Sequence, residues 1–159
     1  MSLAYVGIGS NLQDPVAQVK QAFAELGRLP RTRLLGSSSL YRSAPLGYAD
    51  QPDFVNAVAS LETSLKPVEL LSQLQTIERN QGRKRSFKNA PRSLDLDLLL
   101  FDGMSLDLPH LKIPHPRMHE RAFVLKPLLE IAPGIAIPGL GPAAARLSEI
   151  ADQKVERIA

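Results

Sequence analysis

Two aspartates one residue apart, Asp95 and Asp97, stand inside the run Leu94-Asp95-Leu96-Asp97-Leu98-Leu99-Leu100-Phe101. Along a β-strand side chains alternate faces, so Asp95 and Asp97 share one face about 7 Å apart while Leu94, Leu96 and Leu98 share the other. Carboxylates at that separation repel each other, and taking them out of water costs several kcal/mol per ion unless something positive compensates. A divalent cation is one such partner, and Mg²⁺ is usually held by one or two carboxylates together with substrate phosphates. Just upstream, the stretch from Arg79 to Arg92 contains Arg79, Arg83, Lys84, Arg85, Lys88 and Arg92. Arginine offers a planar donor fork for phosphate oxygens. Carboxylates, a metal and a basic segment together point to nucleotide phosphate chemistry.

Each of these patterns also has a plainer reading. An aspartate pair suits the solvated face of an antiparallel strand. Against that, Leu98-Leu99-Leu100-Phe101 runs on without alternation, as in a strand covered on both faces, so the polar face should be partly sheltered. A basic run is usually solvated surface, and with Phe87 inside it could also bind nucleic acid; adjacency to the carboxylates favours phosphate. Gly7-Ile8-Gly9-Ser10-Asn11 lacks a dinucleotide fingerprint because Leu12 stands where the third glycine belongs, and it reads as a tight strand-to-helix turn. No G-x-x-x-x-G-K-[ST] is present. His115 and His119 have helical i,i+4 spacing, yet Pro116 and the absence of H-E-x-x-H argue against a zinc pair. Asn56, between Phe54 and Val58, carries donors and an acceptor that could read the edge of a flat heterocycle, or could only satisfy local backbone.

The elements that must position these residues follow from periodicity. Leu3 to Gly9 reads as a strand. Asp14-Pro15 supplies a cap and an N1 proline for a helix bearing Val16, Val19, Ala22, Phe23 and Leu26, ending at Gly27. A second strand is expected from about Thr32 to Ser43, then a Pro/Gly-rich loop to Pro52, and a third strand over Phe54–Glu62. Pro67 opens a helix with Val68, Leu71, Leu74 and Ile77 on its buried stripe and Gly82 near its end. The aspartate segment reads as an interior strand. Leu111 to Ile113 suits a short strand, and Pro116 through Ile131 a helix broken or kinked at Pro127. A turn from Pro133 to Pro142 leads into a terminal helix ending near Ile150. The order β-α-β-β-α-β fits an α+β fold of the ferredoxin-like kind, a mostly antiparallel sheet with helices packed on it.

Composition bounds the rest. At 159 residues the chain fits a single domain, 1–159, long enough to bury a core unaided. It has no cysteine, which excludes disulfides, thiolate zinc sites and a thiol nucleophile. No apolar run is long enough to span a bilayer and no signal-peptide pattern opens the chain, so a cytoplasmic protein is expected. The 19 basic and 16 acidic residues leave a net charge of only +3, so local clustering matters more than the total.

Several co-linear motifs then resemble one family. Lys88-Asn89-Ala90-Pro91-Arg92-Ser93-Leu94-Asp95-Leu96-Asp97-Leu98-Leu99 is similar to the signature of the 6-hydroxymethyl-7,8-dihydropterin pyrophosphokinases of folate biosynthesis. The likeness extends through Ala4 to Leu12, Tyr41 to Gly47, Gln51 to Asn56, Ile77-Glu78, Gly82-Arg83 and Ile113-Pro114-His115, and it covers most of the chain up to about Pro133. It implies an ATP-dependent diphosphotransferase that moves pyrophosphate from ATP to the pterin hydroxymethyl oxygen, releasing AMP. By that resemblance Asp95 and Asp97 hold two Mg²⁺ ions, with Arg85 and Arg92 joining them as catalytic residues. ATP contacts fall on Gln75, Glu78, Arg85, Arg92, Leu98, His110, Lys112, His115 and Arg121. The pterin pocket falls on Ser43, Ala44, Leu46, Phe54, Asn56 and Phe123. The implied partners are these two small molecules, without nucleic acid or membrane, in a monomer. Asn89 stands near a position where many members have tryptophan, and His110 where relatives often have arginine. A nucleic-acid-binding α+β module is the alternative, weakened by the lack of an aromatic-rich RNA-recognition pattern and by the two aspartates. Another Mg²⁺-dependent phosphoryl or nucleotidyl transferase is the second.

Overall fold

The computed structural model describes residues 1–11, 14–44, 52–82 and 94–159. Strand β1 (Ser2–Ser10) leads to helix α1 (Pro15–Leu26), whose N-cap Asp14 accepts from the Ala17 amide at 3.3 Å. Strands β2 (Thr32–Ser37), β3 (Tyr41–Ser43) and β4 (Phe54–Thr63) follow, then helix α2 (Pro67–Gly82) and strand β5 (Asp95–Phe101). A small hairpin of β6 (Leu106–Leu108) and β7 (Leu111–Ile113) precedes a 3₁₀ turn at Met118–Glu120 and helix α3 (Ala122–Ile131). Strands β8 (Ala136–Ile137) and β9 (Gly141–Pro142), helix α4 (Ala143–Glu149) and strand β10 (Val155–Arg157) complete the described elements.

The main sheet runs β10-β3-β4-β1-β5, with β2 also on β4, and every pairing in it is antiparallel. This is the expected α+β arrangement, mostly antiparallel with helices on it. Helices α1 and α2 cover one face through Val19, Ala22, Leu26, Leu70, Leu74 and Ile77, packed on Ala4, Val6, Ile8, Ala57, Ala59 and Leu61. Helices α3 and α4 cover part of the other, where Leu125, Leu128 and Ala143 meet Val58, Leu99 and Leu100. Alternation along β1 and β4 therefore sends Gly7, Gly9 and Asn56 to the face that α3 only partly closes.

Several expectations are corrected. The single strand from Thr32 to Ser43 is two, because Ser38 interrupts it: its hydroxyl accepts from the Val58 amide at 2.9 Å, and β2 and β3 pair with β4 on either side of that point. On α2 the buried stripe is Leu70, Leu74, Ile77 and Gln81, whereas Val68 is 54% exposed and Leu71 half-buried. Among the described residues β5 pairs with β1 alone, so there the aspartate strand stands at an edge in its hydrogen bonding. Leu96 and Leu98 to Phe101 are nonetheless buried, with Asp97 half-buried and Asp95 exposed, because α2 and the β7 segment lie against the strand, the Leu96 amide donating to Glu78 Oε2 at 2.8 Å and the His115 amide to the Leu99 carbonyl at 2.9 Å. A bulge changes the alternation within the leucines: Tyr5 pairs with Leu100 and Val6 with Leu98, so the extra Leu99 flips the parity and lies with Leu100 on the α3 face, while Leu98 and Phe101 join the core under α1 and α2. Finally, the expected helix from Pro116 to Ile131 is broken at Arg121, in extended conformation, while Pro127 sits inside α3.

Candidate active site

Register across the sheet builds the site. Gly9 pairs with Asn56 on one side and Asp95 on the other, and Gly7 pairs with Val58 and Asp97. Paired residues share a face, so Asn56, Gly9 and Asp95 form one row and Val58, Gly7 and Asp97 the next, with glycine in the middle of each. Strands lie about 4.8 Å apart, which puts the outer residues of a row about 10 Å from each other over a floor without side chains. The two glycines thus lie within β1 and are not a strand-to-helix turn. A Cβ on Gly9 would stand 3.4 Å from Asn56 Oδ1 and 4.0 Å from Phe54 Cδ1; one on Gly7 would meet Leu99 at 3.4 Å.

Over this floor lies a cavity of about 210 Å³ lined by Gly7, Gly9, Ser43, Ala44, Phe54 and Asn56, with Asp95, Asp97, Arg121, Phe123 and Val124 around them. Asn56 is buried, and its Nδ2 donates to the Ser43 hydroxyl at 2.7 Å, which fixes the amide and leaves Oδ1 toward Gly9. The Arg121 guanidinium lies 5.6 Å from the Phe123 ring centre. A second cavity of about 290 Å³ is lined by Leu71, Leu96, Asp97, Leu98, Pro109 and His110, with Leu111, Lys112, His115 and Pro116. Asp97 belongs to both walls.

His115 is held in one tautomer, since its Nδ1 accepts from the Arg117 amide at 3.2 Å and the proton of a neutral ring therefore sits on Nε2. Burial lowers its pKa, the Asp97 charge raises it, and Arg121 and Arg117 lower it further; the net shift is downward. Lys112 is exposed and ion-paired with Asp107.

The structure thus brings together Ser43, Ala44, Phe54, Asn56 and Phe123 as one set and Leu98, His110, Lys112 and His115 as another. Arg121, expected at the nucleotide, lines the first cavity instead. Glu78 spends a carboxylate oxygen on the strand between the two aspartates, and the exposed Gln75 lines neither cavity. Leu46, Arg85, Asn89 and Arg92 lie outside the described residues. Leu71 was missed as a wall residue because the periodicity of α2 put it on the buried stripe, and only the packing of the helix turns it out to the second cavity. Gly7 and Gly9 were missed because their role depends on register.

Residues 5–133 match the family model of 7,8-dihydro-6-hydroxymethylpterin-pyrophosphokinase. The chain belongs to this family. The 2-amino-4-hydroxy-6-hydroxymethyldihydropteridine pyrophosphokinase of Pseudomonas aeruginosa is 54% identical over 134 residues, 84% of this chain and 83% of that one. The protein of the same name from Haemophilus influenzae is 44% identical over 158 residues, 99% of both. In fold, the chain is similar to a Plasmodium falciparum HPPK-DHPS crystal structure with a TM-score of 0.76 at 14% identity, over 95% of this chain and 46% of that one. The chain thus spans less than half of that solved protein, and the likeness there is one of fold. Among the described residues no helix of this pyrophosphokinase family member is long and apolar enough to cross a membrane.

Proposed function

We propose that this chain transfers the terminal pyrophosphoryl group of ATP to the hydroxymethyl oxygen of 6-hydroxymethyl-7,8-dihydropterin, with the glycine-floored cavity taking the pterin and the second cavity the nucleotide. The observation that carries this division is the position of Asp97 on the wall of both. A carboxylate shared by two cavities belongs where the phosphate chain of one substrate meets the hydroxyl of the other.

On the pterin side, Asn56 Oδ1 and its second amide hydrogen address the ring edge while Phe54 and Phe123 pack against the ring faces. The trough over Gly9 admits a flat ring because no Cβ rises into it. On the nucleotide side, Leu71 and Leu98 offer an apolar wall, and His115 offers its Nε2 proton to a phosphate oxygen. Arg121 directs charge toward the same junction.

Asp95 and Asp97 fit a metal role: both are hard oxygen donors on one wall, and the described residues hold no third acidic or histidine group with them that would complete an all-protein cage. That donor set suits Mg²⁺ taking its remaining ligands from phosphate and water, and we assign two ions to it. When bound, the metal neutralises phosphate oxygens and makes the phosphorus easier to attack. The chain's own residues would hold the two substrates with the hydroxyl facing the phosphate chain, the part of phosphoryl-type transfer that a protein supplies. With both aspartates holding the cation, neither would serve as the general base. Arg85 and Arg92 are proposed to add charge on the phosphate side.

An AMP-release assay with ATP, Mg²⁺ and 6-hydroxymethyl-7,8-dihydropterin tests the reading. Stoichiometric AMP and pterin diphosphate are expected; AMP release independent of the pterin would sink it.

A further inference from the structure

Arg121 sits at a seam. It follows the 3₁₀ turn and precedes α3 with extended backbone (φ −124°, ψ 106°), and it occupies the N-cap position of α3 without giving a side-chain cap. Its own amide and carbonyl are satisfied by Met118, Val124 and Leu125. The peptide groups on either side, the Glu120 carbonyl and the Ala122 amide, need partners from elsewhere.

One side chain from the far end of the chain supplies both. Gln153 Oε1 accepts from the Ala122 amide at 2.9 Å, and its Nε2 donates to the Glu120 carbonyl at 2.8 Å. A side-chain amide carries a donor and an acceptor in one plane, so a single glutamine can pair with both groups at once. Gln153 is itself anchored. Its amide donates to the Ile150 carbonyl at 3.0 Å, and two residues on Val155 pairs with Ser43 while its carbonyl accepts from Lys126 Nζ at 2.9 Å. The clamp is therefore tied to β3 and to α3, which carry the Ser43 and Phe123 walls of the first cavity.

We propose that Gln153 is a positioning residue for Arg121: by bracketing the Arg121 peptide unit it fixes the direction in which the guanidinium passes over Phe123 toward Asp95 and Asp97. The inference rests on the reading of Arg121 as a phosphate-facing group, and it assigns a role in the site to a residue beyond the family match at 5–133. Freed of the clamp, the seam keeps its neighbours but loses the restraint on the backbone from which the guanidinium projects.

The test is a double-mutant cycle on steady-state AMP release with Gln153→Ala, Arg121→Ala and the pair, with melting temperatures recorded alongside. Gln153→Ala should lower kcat/KM for ATP about tenfold while remaining folded at the assay temperature, and the double variant should match Arg121→Ala alone, because the two losses share one cause. Gln153→Glu keeps the acceptor for the Ala122 amide and loses the donor to Glu120, so an intermediate kcat/KM is expected from it. Independent, multiplying losses would overturn the proposal, as would wild-type kcat/KM in Gln153→Ala. If Gln153→Ala does not fold, wild-type kcat/KM in Gln153→Glu overturns it equally. Undiminished turnover in Arg121→Ala would instead remove Arg121 from the phosphate site, a failure of the underlying reading and a different result from an inert Gln153.

Discussion

Gly9 contributes through the side chain it lacks. Between Asn56 and Asp95 it leaves a gap wide enough for a ring, and a Cβ there would lie in ordinary contact with Asn56 Oδ1, so alanine fits the protein while standing in the floor of the cavity. Gly9→Val should therefore raise the KM for the pterin about tenfold, the order of cost of overfilling a packed site. The nucleotide KM should hardly change. Steady-state kinetics with each substrate varied in turn checks both. The aspartates make the opposite case, since their charge and not their volume matters. Asp95→Asn and Asp97→Asn should each lower turnover by at least about tenfold, neutral amides being poor Mg²⁺ ligands. Stability of Asp97→Asn should stay level or rise, because one member of a repelling pair is removed. Near-wild-type activity in either variant at saturating ATP and Mg²⁺ would discard the metal assignment.

Among elements, a direct tie between α3 and the segment entering β3 joins the two walls of the first cavity. Glu130 near the end of α3 accepts from the Ser39 amide at 3.0 Å, the Ser39 hydroxyl at 2.9 Å and the Tyr41 hydroxyl at 2.5 Å. Burial alone would raise its carboxyl pKa, but the hydrogen bonds from Tyr41 and Ser39 and the Arg157 charge outweigh it and hold the group below its ordinary 4.5. Tyr41 moves the other way, pushed up to about 12 by burial first and by Glu130 next. A depressed carboxyl means that the unfolded chain takes up the proton first. The contribution of Glu130 is thus complete above pH 4.5 and lost as the pH falls through its lower folded value. Comparing melting temperatures of the wild type and Glu130→Gln between pH 6 and pH 3, we expect a wild-type advantage at the upper end that closes below about 4.5. A constant difference across that range would show that the carboxylate does not report on this tie.

At the scale of the whole molecule, charge and exposed apolar surface decide what else the protein binds. A net charge of +3 gives a weak overall field, and the aspartate pair sets negative charge in the middle of the site. Titration with single-stranded and duplex oligonucleotides at two salt concentrations should show only weak binding. Tight binding that falls steeply with salt, without pterin-dependent AMP release, would favour the nucleic-acid module instead. Among the described residues, the exposed large apolar residues Met1, Leu3, Leu35, Val68, Leu108 and Ile158 are spread over the N-terminal residue, β1, β2, α2, β6 and the C-terminal residues. On the expectation of a monomer, sedimentation velocity should give one species of single-chain mass. A concentration-dependent dimer would contradict it.

Local signals were enough for much of this chain. Asp14-Pro15 set the start of α1 because capping and a fixed proline φ act within a few residues. Asp95 and Asp97 were legible as a same-face pair because alternation is a property of the strand itself. Asn56 between Phe54 and Val58 could be singled out for the same reason, as could the α+β order of elements. The tertiary structure decided whatever depends on neighbours far along the chain. Register placed Gly9 between Asn56 and Asp95, and a bulge at Leu99, invisible in a run of leucines, put the consecutive Leu99 and Leu100 on the same face. The stripe on α2 turned toward Leu70 because the sheet fixes which side of a helix is buried, freeing Leu71 for the second cavity. The break at Arg121 and its clamp by Gln153 had no local signature at all: two hydrogen bonds across more than thirty residues exist only once β10 has paired with β3 and brought the C-terminal segment beside α3.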